Sequence, residues 1–365
     1  MLRLSRSELY FYRLPYLRTV TWANAIEAEG VYALLVLTGD DGSSGVAEGT
    51  IKATWSGASP ASLRAALDDL LLPRLASIDL ADAAAVSCAI APIPENRLAK
   101  TLIDNACWTL RAHSAGVPLW QRWGGKPAVD VTWTVTRDQP VAMARDAAAM
   151  VERYGFRSLK IKGGQGLDTD RRALAEIVTA VGPQVALYVD ANSAYGAEQA
   201  GAYVDWLADA GAMLAEDPCR LAPDAVFTQL QSAARLPLLV DSACTTSADA
   251  QRFLDCGARA LSTKPGRVGF SECRQIGALA AARGAAVAIG LYAESALGTL
   301  VNLQLAAATP PAQRIAAAEQ TFFLLLQSQV LQQALPLVAG CITLPQSADL
   351  HSAIDFERVQ AHRIG

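Results

Sequence analysis

The chain has 365 residues, 52% of them hydrophobic, enough for a substantial core in one large domain or two ordinary ones. A formal charge of −4 and a pI near 5.5, with Lys and Arg scattered rather than clustered, exclude nucleic acid and anionic membrane as main partners and leave a small molecule. Seven cysteines without a C-x-x-C pair, no apolar h-region at the start and no run near the roughly 18 apolar residues of a membrane span fit a reducing, cytoplasmic setting.

Residues 1 to about 122 read as mixed α+β structure. "VYALLVLTGDDGSSGVAEG" predicts two short strands around the turn Asp40, Asp41, Gly42. "SPASLRAALDDLLLPRL" predicts a helix opened by Ser or Pro and punctuated by Pro73, and "AKTLIDNACWTLRAHSAG" a helix ending at Gly116. From about 130, the short aliphatic runs "VTWTVT", "SLKIK", "ALYVDAN", "AMLAEDP", "PLLVDS", "ALSTKP" and "AVAIGLY" alternate with Ala-rich amphipathic segments such as "PVAMARDAAAMVERYG" and "RRALAEIVTAVG". Seven strand–helix units in regular order imply a parallel sheet, and their number favours a barrel over a doubly wound sheet. No G-x-G-x-x-G or G-x-x-x-x-G-K-[ST] occurs, and "KGGQG" after the second strand reads as a tight exit loop.

Each strand from the second on leads to an ionisable residue: Lys162, Asp190, Glu216, Asp241, Lys264 and, after the seventh, Glu294. They recur about once per βα unit, at the strand ends where a barrel carries its functional side chains, and a series in register is more than helix capping explains. Asp190, Glu216 and Asp241 would converge on one arc and repel unless a cation joins them. Oxygen-only ligands suit Mg2+, or Mn2+ in its place. The three histidines, His113, His351 and His362, lie outside the strands, which argues against a zinc site or a catalytic His, and no G-x-S-x-G elbow supports a Ser hydrolase.

Strands two and six oppose each other in an eight-stranded ring, so Lys162 and Lys264 are expected to face across the mouth with the metal between. A substrate carboxylate on the metal then has its α-carbon between two amines, which suits proton removal through an enediolate. Lys160, on the same face as Lys162, is expected to keep Lys162 neutral and to reach the carboxylate.

"KIK", "VDANSAY", "EDP", "VDS" and "KPGRVG", in this order and at these intervals, resemble the enolase superfamily and specifically its muconate lactonizing enzyme subgroup. The likeness covers nearly the whole chain. It implies a modified (β/α)7β TIM-type barrel at 123–330, an α+β capping domain at 1–122, and a tail at 331–365 that returns to the cap. It further implies Lys162 and Lys264 as the acid/base pair and Asp190, Glu216 and Asp241 as magnesium ligands. Within the subgroup, "DANSAY" and "KPGRVG" look most like N-succinylamino acid racemases and o-succinylbenzoate synthases, and Glu294 in "GLYAES" resembles the seventh strand of the cycloisomerases. The Asp-x-Asp motif of dipeptide epimerases is absent there. Ser242 stands where the family usually has Glu, removing a carboxylate beside the third ligand, and Phe270 replaces a customary Gly.

The resemblance makes the cap loops "YLRTVTWANAIEAEG" and "TIKATWSG" the source of specificity, with Arg18, Trp22, Lys52 and Trp55 as candidates and Trp22, Lys52, Asn192 and Glu294 as expected substrate contacts. Glu48 reads as structural, and Trp133 faces either the cavity or the lower core. The expected function is a metal-dependent racemase or cycloisomerase acting on a small carboxylate, as a homo-oligomer. A syn-eliminating lyase of the o-succinylbenzoate synthase kind is the alternative, and a silent barrel used as a binding scaffold is the alternative of another class.

Overall fold

The chain opens with three antiparallel strands, longer than the sequence pattern suggests. In the computed structural model, which describes residues 1–365, β1 (Leu4–Thr21), β2 (Ile26–Gly39) and β3 (Ser44–Ile51) form one sheet in that order. The turn between β2 and β3 falls at the expected Asp40–Gly42, where Gly42 takes a φ of 81°. β1 is the unexpected strand: charged residues and Pro15 interrupt its apolar alternation, and its pairing with β2 shifts register between Pro15 and Val20. One face of this sheet buries Phe11, Ala33, Leu35 and Ala47 in a core shared with the helix Arg97–Ser114. The other face sends Tyr12, Tyr32, Leu34 and Val46 into the main core of the molecule. The predicted helix near 60 is real but short: Ser59 caps it and Pro60 opens it, and after Ala65 the backbone widens to a π-type turn, then tightens to a 3-10 turn at Pro73.

After β4 (Ala128–Asp130) come seven parallel strands: β5 (Trp133–Val135), β6 (Ser158–Lys162), β7 (Ala186–Asp190), β8 (Ala215–Glu216), β9 (Leu238–Val240), β10 (Ala260–Thr263) and β11 (Ala286–Ile289). They lie side by side in sequence order as one curled sheet with helices between them. Each falls within one of the seven aliphatic runs. Between its two edges lies residues 314–319: Ile315 N and Glu319 N donate to Val287 O (3.0 Å) and Ile289 O (2.8 Å) of β11, and Thr132 N donates to Ala318 O (2.9 Å). β12 (Leu337–Val338) and β13 (Cys341–Thr343) pair with β4, while the last residues meet β1, with Ile364 N donating to Phe11 O at 2.9 Å. No helix is long and apolar enough to cross a membrane.

Side chains alternate across this sheet with period two. Tyr188, Leu214, Leu239, Ala260 and Ala288 form a small separate apolar cluster, while Leu159, Ile161, Val189, Ala215 and Val240 belong to the main core beneath the helices. Lys160 and Tyr188 are paired across β6 and β7, as are Lys162 and Asp190. Both lysines therefore stand on the face of the apolar cluster, with Lys162 at the C-terminal end.

Candidate active site

The inward row of each strand ends in the residues that the spacing singles out. Lys160, at the floor, is 1% exposed, and its ammonium lies 2.7 Å from Glu216, 3.0 Å from Glu319 and 3.1 Å from Asp190. Burial alone would depress its pKa, but these three carboxylates outweigh burial and hold it well above the ordinary lysine value. Lys160 is thus a fixed cation. Lys162, one turn of the pleat higher, donates to Asp190 Oδ2 at 2.6 Å. Lys264 follows β10 and donates to Asp241 Oδ2 at 2.5 Å. Its stem passes the backbone of Gly290 so closely that a Cβ there would lie 2.5 Å from Lys264 Cε.

The carboxylates divide by their partners. Burial pushes Asp190 up, but Lys160 and Lys162 together hold it below the usual range; Lys264 and Arg267 do the same for Asp241. Glu216 is raised well above the usual range by burial and by the charge of Asp190. Asp217, in the same "EDP" turn, accepts from the backbone N–H of Asp241 (3.1 Å) and Ser242 (2.8 Å), and burial next to Asp241 pushes it up to about 6. It therefore ties the end of β8 to the turn after β9 on the side where Ser242 lacks a carboxylate. Phe270, the other departure, is buried and packs against the Trp123 ring at 5.3 Å.

No three Asp, Glu, His or Cys side chains are gathered as closely as a bound ion draws them. Each of the three candidate ligands is engaged by a lysine instead. The donor chemistry nevertheless fits a hard cation. Glu216 Oε2 and Asp241 Oδ1 are buried and accept no hydrogen bond, although Lys160 Nζ and Arg267 Nη2 approach them to 2.7 and 3.2 Å without alignment.

A cavity of about 360 Å3 opens over this floor, lined by Lys160, Lys162, Lys264, Asp241, Asn192 and Glu319 below and by Trp22, Trp55, Arg97, Arg267 and Tyr292 above. Asn192 is thus placed at the reaction chamber, with a left-handed φ of 48° that lets its N–H and amide group both donate to Asp190. Lys52 is not: it is 4% exposed, lies under the rings of Trp22 and Trp55 at 4.0 and 4.4 Å, and is paired with Glu27. Lys52 thus stands outside the cavity wall, with its charge engaged in holding the loops. Glu294 also lies behind the lining, accepting from Tyr292 N (2.7 Å) and Asn302 Nδ2 (2.8 Å). Arg18 bonds Thr136 and Asp146, away from the cavity. Trp133 faces the helix side, where its Nε1 donates to Asp146 at 2.8 Å. Glu48 joins the two layers by accepting from Tyr12 and from Ser295 N. Glu319, Arg97, Arg267 and Tyr292 line the cavity and are missed by sequence reasoning. Glu319 follows Glu294 by 25 residues, within the range of the preceding intervals, but its Ala-rich approach "RIAAAE" carries no strand pattern.

The sequence is 31% identical to an o-succinylbenzoate synthase from Geobacillus kaustophilus over 71% of this chain and 66% of that relative, so the chain spans about two thirds of its length. It is 27% identical to an N-succinylamino acid racemase from Thermus thermophilus over 98% of this chain and 97% of the relative. In fold, a muconate lactonizing enzyme from Mycobacterium smegmatis solved with muconolactone superposes with a TM-score of 0.93 over 100% of both chains at 23% identity. A family model described as Enolase C-terminal domain-like matches residues 142–349, from the helix before β6 past the last of the site carboxylates. That match takes in more than half of the chain, and the protein belongs to the enolase C-terminal domain-like family.

Proposed function

We propose that this protein is a divalent-metal-dependent isomerase that removes the proton α to a substrate carboxylate, with racemisation or cycloisomerisation as the outcome. The observation that carries this reading is the pair Lys162 and Lys264: they come from β6 and β10, line one cavity, and each is hydrogen-bonded to a different candidate metal ligand. The fold reading that goes with it is a modified (β/α)7β barrel at 123–330, completed by the segment 314–319, a cap at 1–122 and a tail at 331–365. Asp190, Glu216 and Asp241 would hold Mg2+ or Mn2+, which when bound supplies positive charge beside the substrate carboxylate as the proton leaves.

The chain's own residues do the rest. Lys160 stays charged on the floor and balances the carboxylates around it. Lys162 and Lys264 exchange protons with opposite faces of the α-carbon, which is the arrangement a racemase needs. Trp22, Trp55 and Tyr292 roof the cavity and keep water from the carbanionic carbon. Syn elimination is the second reading, favoured by the o-succinylbenzoate synthase relative; there, one lysine carries the proton and the other remains a cation.

The test is α-proton exchange in D2O with N-acyl amino acids, muconates and hydroxy acids. For a racemase, Lys264→Ala retains exchange of one enantiomer and Lys162→Ala of the other, while net racemisation falls by roughly three orders of magnitude or more in both. For an elimination, only one variant loses exchange altogether. Undiminished turnover in either variant would sink the two-lysine mechanism, and no exchange with any carboxylate would leave the chain a binding scaffold.

A further inference from the structure

The exit loop "KGGQG" after β6 has no part in the chemistry above, yet it is unusually tightly held. Asp170, in the first turn of the helix Leu167–Val181, is 4% exposed. Its carboxylate accepts four hydrogen bonds. Two come from Gly164 N (2.8 Å) and Gln165 N (3.0 Å) in the loop after β6. One comes from Tyr195 OH (2.5 Å) in the loop after β7, and one from Tyr203 OH (3.0 Å) on the helix Ala197–Asp209. One buried acceptor thus joins the exits of the two strands that carry Lys162 and Asp190.

The loops it joins are pressed together. Gly164 has a φ of 76°, and a Cβ on it would lie 2.3 Å from Ala191 O. Gly163 N donates to Asp190 O at 2.9 Å, and Arg137 Nε donates to Gly163 O at 2.8 Å. Next to this contact, Asn192 and Ser193 both adopt left-handed φ values, 48° and 60°, which side-chain-bearing residues keep only when their surroundings insist. Hydrogen bonds to a buried carboxylate are strong and are costly to leave unmade. Asp170, Tyr195 and Tyr203 are all absent from the cavity wall.

We propose that Asp170, with Tyr195, is a positioning residue for Lys162: it fixes the end of β6 against β7 so that the ammonium group meets Asp190 and Asn192. Its influence is one-sided. Lys264, just after β10, is held by Asp241, which Arg267 in turn ties at its carbonyl, and the clamp makes no contact with this group. The proposal rests on the reading of Lys162 and Lys264 as proton-transfer groups.

The experiment follows D2O exchange of each enantiomer of an N-succinyl amino acid at saturating Mg2+, in the parent, Asp170→Asn and Tyr195→Phe. Lys162→Ala and Lys264→Ala assign each enantiomer to its lysine. Asp170→Asn is expected to lower kcat for exchange on the Lys162 side roughly 10- to 100-fold, the scale of a misplaced reacting group, with KM and the Lys264 side within about threefold. Tyr195→Phe, which removes one hydrogen bond and keeps the ring, shows the same one-sided loss at about threefold or more. Equal losses on both sides mean a merely structural role and overturn the proposal, as does no loss. If the parent exchanges none of the N-acyl amino acids, muconates and hydroxy acids, the proton-transfer reading fails on its own, and crystal structures decide the clamp. Lys162 Nζ displaced by more than about 1 Å in Asp170→Asn, with the Lys264–Asp241 contact unmoved, upholds it; an unmoved Lys162 overturns it.

Discussion

Lys160 and Lys162 share one strand and one face, separated by Ile161, yet they occupy different worlds. The lower lysine is sealed among Asp190, Glu216 and Glu319; the upper one is 14% exposed and directly bonded to Asp190, with Asn192 nearby at 3.5 Å. The difference teaches that partner count decides role. An ammonium facing three carboxylates is held charged, whereas the one at the rim has a single carboxylate partner and lines the cavity. Lys160 is at once a floor cation and part of the cavity base.

Removing each charge is the most direct way to break this comparison. Lys160→Met strands the buried Glu216 and Glu319 without their cation and leaves Asp190 only Lys162, and should destabilise the metal-free protein by about 3–5 kcal/mol in urea unfolding. Lys162→Met leaves Asp190 with Lys160 and Asn192, and should cost no more than about 1 kcal/mol while abolishing turnover. Equal losses in the two variants would show that floor and rim are one electrostatic unit.

Divalent metal should act at the boundary between the two layers. Mg2+ at 100 times its Kd should stabilise the parent by about 2.7 kcal/mol, through binding to the folded state alone. In Asp190→Asn, Glu216→Gln or Asp241→Asn the same concentration should give much less, read as a smaller rise in Tm. A full Tm rise in all three variants would move the ion elsewhere.

Glu294 sharpens the comparison by being buried with neutral partners. Burial pushes its carboxyl up to about 7 against an ordinary value of 4.5. The folded chain then keeps a proton that the unfolded chain has released, so this group's contribution is full below 4.5, falls as pH rises towards 7, and is flat above. Between pH 5 and 8 the parent should lose on the order of 2 kcal/mol more than Glu294→Gln, measured by denaturant unfolding at both pH values. An identical pH dependence in both proteins would mean that the carboxyl is ionised when folded.

What the sequence makes legible follows from periodicity. The seven parallel strands, their order and the inward row of ionisable residues all come from a two-residue alternation repeated at βα spacing, which local pattern carries well. β1 is not legible, because its pairing with β2 and the chain's last residues is long-range and overrides a poor local pattern. Glu319 hides for the same reason: residues 314–319 become strand-like by fitting between two edges. Lys52 has a loop position that suggests substrate, and only its tertiary contacts with Glu27 and two tryptophans show where its charge is engaged.

The smallest expected effect lies in the roof over both lysines. Trp22 and Trp55 meet edge to face at 4.9 Å; Trp22 Nε1 donates to Glu27 at 2.7 Å, and the Lys52 ammonium sits against both rings. Trp22 and Trp55 line the cavity and Lys52 does not, so in the proposed reading the rings would meet the substrate and the lysine would set where the rings stand. Burial brings Lys52 down to about 8, which still leaves it mostly charged at neutral pH and able to hold the π faces. Trp22→Ala should therefore change the ratio of kcat/KM between two substrates that differ only in side-chain size by about tenfold, or 1.4 kcal/mol, the scale of one lost apolar contact in a pocket. Lys52→Met keeps the aliphatic stem beneath the rings and loses only the cation, so its change should be nearer threefold. Metal affinity should be the same in both, because neither residue reaches Asp190, Glu216 or Asp241. If Lys52→Met alters the ranking more than Trp22→Ala does, Lys52 contacts substrate after all and the roof moves during turnover.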